Sequence, residues 1–112
     1  MYALLRDGKA SPSIPEYPAA ASGDAWTPDV APLKSAYQQF LGREPDYTNN
    51  AHVVKEEPFV DTLDYIFTSG EHAWGVQGVQ ALGSRAAITE PFPSEQEPSD
   101  HVLLAADLQV KL

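Results

Sequence analysis

The chain has 112 residues, which is enough for one small domain with a modest hydrophobic core or for part of a larger domain. Its 16 acidic and 7 basic residues give a formal net charge of −9, and the basic residues are scattered along the sequence. Proteins that track nucleic-acid phosphates need clustered Lys and Arg, so an extended nucleic-acid-binding surface is not expected in this segment. The absence of cysteine excludes disulfides and thiolate zinc sites.

The N-terminal segment is expected to be helical and short. Residues Tyr2 to Asp7 are typical of the last turns of a helix, and Gly8 can serve as the C-terminal cap. The apolar patch is too brief for a signal peptide or a membrane span. We therefore expect a soluble, intracellular and cytoplasmic protein with no membrane partner. Five prolines between residues 10 and 32 argue against any persistent helix or central strand there.

The middle of the chain predicts one helix between two loops. Leu33 to Leu41 carries apolar residues at helical spacing, Pro32 suits the first helical position, and Gly42 can cap the end. Residues 43–58 are interpreted as loop. The region from 9 to 58 is thus expected to be rich in loops, ahead of a core of strands at 60–112.

Three strands are predicted in that second region. Thr62 to Ser69 alternates with period two and ends at a turn spanning 69–71, after which Ala73 to Leu82 is a plausible antiparallel partner. Val102 to Val110 predicts a third strand beyond a proline-punctuated loop. Trp74, on the second strand, is expected to lie in the core rather than to serve as a stacking platform.

Asp64 stands out because it lies in the middle of a strand that is otherwise largely apolar. An ionised carboxylate buried there costs several kcal/mol unless it is paired or hydrogen-bonded. Asp64 therefore either has a partner or lies on an edge strand facing water.

Ser99-Asp100-His101 invites interpretation as a Ser/His/Asp triad, but neighbouring residues of an extended chain point to opposite faces. A carboxylate that orients His101 should come from another strand, and Asp64 is the best-placed candidate. An imidazole held in this way is favoured as the cation, which suits binding a phosphate oxygen. The alternative is a surface Asp-His pair at the start of a strand.

Three segments resemble, in order and spacing, the deadenylase, nocturnin and angel branch of the endonuclease/exonuclease/phosphatase superfamily. They are Tyr47-Thr48-Asn49, the stretch from Phe59 to Phe67, and Pro98-Ser99-Asp100-His101 leading into an apolar strand. The resemblance implies an α/β (α+β) sandwich of two mixed sheets flanked by helices. Residues 1–112 would form its C-terminal part, with mostly antiparallel strands.

The same resemblance implies a Mg²⁺-dependent phosphodiesterase, most simply a 3′–5′ RNA exonuclease whose partner is an RNA 3′ end or a nucleotide phosphate. His101 and Asp64 match catalytic positions, with His101 contacting the scissile phosphate and Asp64 holding His101. Asp100 matches a position close to the metal, and Phe59 and Asn49 match substrate-binding positions.

Two segments of the family's pattern are missing from the sequence. These are a glutamate metal ligand and an Asp-Phe-Asn segment, which bind the magnesium and orient the attacking water. We therefore expect the main Mg²⁺ ligands upstream of this chain and no hydrolysis by the chain alone. A truncated or degenerate homologue that binds nucleotides or partners without catalysis is the alternative. An unrelated hydrolase built on Ser99 is disfavoured by the strand geometry.

Overall fold

The computed structural model of the chain is a small α+β arrangement of short elements, and it describes residues 2–15, 17, 26–28, 30–52, 56–69 and 74–110. In chain order the elements are α1 (Tyr2–Asp7), β1 (Leu33–Ser35), α2 (Ala36–Leu41), β2 (Asn49–Ala51), β3 (Phe59–Asp61), β4 (Phe67–Ser69), β5 (Trp74–Val79), a 3-10 turn (Arg85–Ala87) and β6 (Ala106–Val110). The strands form three antiparallel pairs, β1 with β4, β2 with β3 and β5 with β6. The expected α+β class with mostly antiparallel strands is confirmed at this level.

The predicted N-terminal helix and its glycine cap are present. Gly8 adopts a left-handed φ of 67° and donates its backbone N–H to the Leu4 carbonyl at 2.9 Å. The described positions between 10 and 32 contain neither helix nor strand, as the prolines predict. Neither described helix has the length and apolar character needed to cross a bilayer.

We expect Gly8→Ala to destabilise the fold more than Gly42→Ala. Both glycines have a left-handed φ, 67° and 73°, which costs an L-residue roughly 1–2 kcal/mol. A Cβ on Gly8 would also collide with the Val30 carbonyl oxygen, whereas a Cβ on Gly42 meets nothing within 4 Å. Urea denaturation followed by circular dichroism measures the difference. Equal losses of stability would contradict this packing of Gly8.

The helix predicted over residues 33–41 starts later than expected. Leu33–Ser35 is strand β1, because it pairs with β4 in a register that sets Lys34 opposite Thr68. Ser35 then caps α2, accepting the Gln38 N–H on its Oγ at 3.4 Å, so Pro32 is not the first helical residue. The predicted cap at Gly42 is confirmed by its N–H donating to the Gln38 carbonyl at 3.0 Å.

The single strand predicted over 62–69 is wrong, because the structure has two short strands with a break between them. β3 ends at Asp61 and β4 begins at Phe67. In the break the backbone N–H groups of Leu63 and Asp64 donate to the Thr48 hydroxyl, each at 2.9 Å, instead of to a neighbouring strand. The Thr48 side chain therefore accepts the N–H groups that a neighbouring strand would otherwise bind.

The predicted pairing of the strand at 62–69 with the strand at 73–82 is also wrong. β4 pairs with β1, and β5 pairs with β6 in a register that sets Trp74 opposite Val110. The expected turn over 69–71 falls mainly outside the described residues. Hairpin signals in the sequence are local, whereas both observed pairings join segments far apart in the chain.

Two further boundaries differ from the predictions. Residues 43–58 were expected to be loop, yet Asn49–Ala51 forms strand β2 beside β3. The strand expected at 102–110 begins at Ala106, although His101 makes an isolated bridge to Asn49. Asn is depleted in strands, so the sequence of β2 gave little signal for pairing.

The described residues bury few apolar side chains. The buried apolar residues are Ala36, Tyr37 and Tyr47. The buried polar residues are Ser35, Thr48, Asn49, Asn50 and Thr68. Trp74 is 40% exposed, so within the described residues it does not lie in a core as expected. The accessible surface is 7913 Å², against about 6,100 Å² for a typical folded monomer of this mass. The radius of gyration is 17.2 Å, against about 13 Å for a compact domain.

Candidate functional site

The segment that carries His101 is fixed to strand β2 by two backbone hydrogen bonds. Asn50 N–H donates to the Asp100 carbonyl and Val102 N–H donates to the Thr48 carbonyl, both at 2.9 Å. These bonds flank the isolated antiparallel bridge between Asn49 and His101. His101 therefore lies at a defined register against β2 rather than on a free loop.

The segment that carries Asp64 is also fixed by Thr48, whose carbonyl accepts the Val102 N–H. The Thr48 hydroxyl oxygen accepts the backbone N–H groups of Leu63 and Asp64, and Thr48 itself is fully buried. The Thr62 hydroxyl adds a bond to the Pro45 carbonyl at 2.8 Å. Asp64 is thus held beside β2 although it belongs to no strand.

The predicted contact between Asp64 and His101 is present. His101 Nδ1 lies 2.6 Å from Asp64 Oδ2, and the two side chains are 43% and 40% exposed. The expectation that Asp64 has a partner is therefore confirmed, whereas the alternative of an edge strand is wrong because Asp64 lies between β3 and β4. Because Nδ1 is bound to the carboxylate, Nε2 is the ring nitrogen left for a ligand.

The pair favours the charged imidazole. The hydrogen bond to Asp64 raises the pKa of His101 above its ordinary value, and the negative charges of Asp64 and Asp100 add to this increase. Desolvation lowers the pKa but is outweighed. A cation that is half-exposed and fixed in orientation can bind an anionic oxygen, donate a proton to it, or do both.

The sheet register places two other predicted residues on the face of His101. Paired residues of an antiparallel ladder point to the same face, and Asn49 is paired with both His101 and Asp61. Phe59, two residues before Asp61, shares that face and is 46% exposed. Asn49 is only 3% exposed, and its Oδ1 has no hydrogen-bond partner among the described residues.

Asp100 lies opposite Asn50 in the register and hence on the other face at this point of the sheet. Its charge still reaches His101, whose pKa it helps to raise. The described part of the chain contains no group of three or more His, Asp or Glu side chains that could hold a metal. Mg²⁺ is commonly held by one or two carboxylates together with waters and substrate phosphates. Asp100 offers one such carboxylate.

The Ser99 hydroxyl is used within its own turn. Its Oγ accepts the His101 backbone N–H at 3.1 Å, while the His101 ring contacts Asp64. This local bond is typical of a serine that stabilises a turn. The three consecutive residues therefore do not form the hydrogen-bonded chain that a Ser/His/Asp triad requires.

Asp64→Asn is expected to lower the pKa of His101 towards its ordinary value of about 6.5, because the strongest cause of the increase is lost. With the raised pKa, the stability that the charged pair contributes is present in full below pH 6.5. It is lost as the pH rises through the folded pKa. NMR titration of the His101 ring in Asp64→Asn and in the unsubstituted chain measures the shift. An unchanged His101 titration would show that the contact is absent in solution.

Comparison of the chain with models of protein families, with curated proteins and with solved structures finds no match. The chemistry of the site therefore rests on its own residues. They provide an imidazole oriented through Nδ1, an exposed aromatic ring on the same face, and the further carboxylates of Asp61 and Asp100.

Proposed function

We propose that the chain is the C-terminal part of a metal-dependent phosphodiesterase domain that acts on the 3′ end of RNA. The observation that carries this proposal is the 2.6 Å contact between His101 Nδ1 and Asp64 Oδ2. It joins the two segments whose residues resemble the catalytic positions of the endonuclease/exonuclease/phosphatase superfamily, and it does so with the predicted partner rather than with the adjacent Asp100.

His101 would act on the phosphate through Nε2. Asp64 fixes the ring orientation and favours the imidazolium, which binds a non-bridging phosphate oxygen and stabilises the negative charge that develops there. Phe59, exposed on the same face, offers a flat apolar surface on which a terminal base can stack, a contact worth roughly 1–3 kcal/mol per base. Magnesium, expected to be held by residues upstream, would supply Lewis-acid chemistry.

The apolar surface supports the view that the chain is one layer of a larger sandwich. Trp74 and Val76 of β5 are paired with Val110 and Leu108 of β6, so these four side chains share one face of the ladder. We call them the β5–β6 apolar face. Trp74, Leu108 and Val110 are 40%, 38% and 48% exposed. A second sheet packed on this face would remove them from water.

Binding without cleavage is the second candidate function. It is favoured by the placement of His101 and Phe59 on one face of the ladder, an arrangement that suits holding a nucleotide whether or not it is hydrolysed. In that case His101 and Phe59 would still bind a nucleoside phosphate, and added magnesium would not lead to turnover.

Trimming of an oligoadenylate with a labelled 5′ end in magnesium distinguishes the two functions. The 112-residue chain is compared with a form extended upstream through the expected Asp-Phe-Asn segment. Activity in the extended form alone supports the proposed phosphodiesterase. Binding of the oligonucleotide by the extended form without trimming supports the second function. Robust trimming by the 112 residues alone would overturn the expected position of the metal ligands.

A further inference from the structure

Thr48 is the point at which the two halves of the His101–Asp64 pair meet. It is fully buried and lies immediately before β2. Its backbone carbonyl accepts the Val102 N–H at 2.9 Å, one residue beyond His101. Its hydroxyl accepts the N–H groups of Leu63 and Asp64, also at 2.9 Å. A single residue therefore holds the backbone on both sides of the pair.

The hydroxyl is the more specific of these two attachments. Any residue can offer a backbone carbonyl to Val102, but only a hydroxyl or another acceptor at this position can receive the two N–H groups. Asp64 lies in the break between β3 and β4 and takes no part in a strand ladder. Among the described residues, the hydroxyl of Thr48 is the group that accepts the backbone N–H of Asp64 itself.

We propose that Thr48 is a positioning residue whose hydroxyl holds the Asp64 backbone so that its carboxylate meets the His101 ring. The proposal deepens the proposed function, and its catalytic consequence rests on that function, whereas the alignment of the pair can be measured without substrate. Thr48 touches neither the imidazole nor the carboxylate by hydrogen bonding, so it acts through the backbone.

The consequence of removing the hydroxyl follows from the geometry of the pair. Val is close to Thr in shape but leaves the Leu63 and Asp64 N–H groups without their acceptor, and unsatisfied donors in an enclosed place are costly. The segment is then expected to move until water or another acceptor reaches these groups. A displacement of about 1 Å takes a 2.6 Å contact beyond normal hydrogen-bond length.

The experiment titrates the His101 ring by NMR in the 112-residue chain, or in the extended form if it folds better, for three variants. Thr48→Val is expected to shift the titration in the same direction as Asp64→Asn, and Thr48→Ser to keep it near wild type because the hydroxyl is retained. Thr68→Val is the matched control. Thr68 is a buried threonine of β4 whose hydroxyl bonds to Lys34 and Gln39. Its loss should lower stability and leave the His101 titration unchanged.

A wild-type titration in Thr48→Val would overturn the proposal, as would an equal shift in Thr68→Val. If Thr48→Val does not fold, amide hydrogen exchange in the unsubstituted chain decides. The amides of Leu63 and Asp64 are expected to exchange more slowly than the amide of exposed Thr89. Fast exchange at both Leu63 and Asp64 overturns the proposal. Neither measurement involves RNA. Failure of the trimming assay with a normal response to Thr48→Val therefore contradicts the proposed function alone.

Discussion

Replacing His101 with alanine in the extended form is expected to reduce phosphodiester cleavage by roughly 10²- to 10³-fold, the range typical of losing one group that stabilises a developing negative charge. The reason is that His101 presents the fixed Nε2 of the Asp64–His101 pair to solvent. Initial rates of oligoadenylate trimming, measured at saturating magnesium, give the loss. The loss should fall on kcat more than on KM, because the imidazolium stabilises charge that develops in the transition state.

Two companion variants separate this role from others. Asp64→Asn is expected to cause a smaller loss, since the ring remains, and to move the alkaline decline of activity to lower pH as the pKa of His101 falls. Ser99→Ala is expected to retain most of the activity because Ser99 only bonds the backbone of His101. Loss of all activity in Ser99→Ala would instead favour a serine nucleophile.

The sequence allowed prediction of the contact between Asp64 and His101 better than prediction of the sheets around it. Glycine caps at Gly8 and Gly42 were predicted correctly because they depend on local backbone conformation. The partner of His101 was predicted because adjacent residues in an extended segment cannot face one another, which left Asp64 as the carboxylate to consider. The glycine caps needed only local geometry, and the partner of His101 needed only one distant residue, Asp64.

The failures concern features that depend on long-range pairing. The break between β3 and β4 exists because a threonine fifteen residues earlier takes the N–H groups of Leu63 and Asp64, and no periodicity of the strand itself reports this. The pairing of β5 with β6 likewise joins segments separated by a long loop. Asn49–Ala51 is polar enough to resemble a loop, yet it is bordered on both sides by other segments. Strand β2, which fixes the segment of His101, is therefore a strand that its own sequence does not indicate.

The 112-residue chain alone is expected to self-associate at micromolar concentration. Large apolar patches exposed to water promote association, and the β5–β6 apolar face is such a patch. Size-exclusion chromatography with light scattering is expected to give a mass above 12.2 kDa.

Variants on β6 test whether that face is responsible. The double substitution Leu108→Gln and Val110→Thr makes the face polar while leaving the backbone pairing to β5 in place, and it should shift the chain towards monomer. Leu103→Gln is the control, because Leu103 is 71% exposed and lies outside the ladder. Its mass distribution should stay that of the unsubstituted chain.

The extended form provides the decisive comparison, since the same face should there be covered by the second sheet. We expect the extended form to be monomeric and to melt cooperatively, and the double substitution to destabilise it, because polar groups would then be buried without partners. The same two substitutions should thus reduce association in the short chain and reduce stability in the long one. A compact, cooperatively melting monomer of the 112 residues would contradict the interpretation as one layer of a larger sandwich and would leave the β5–β6 apolar face as ordinary surface.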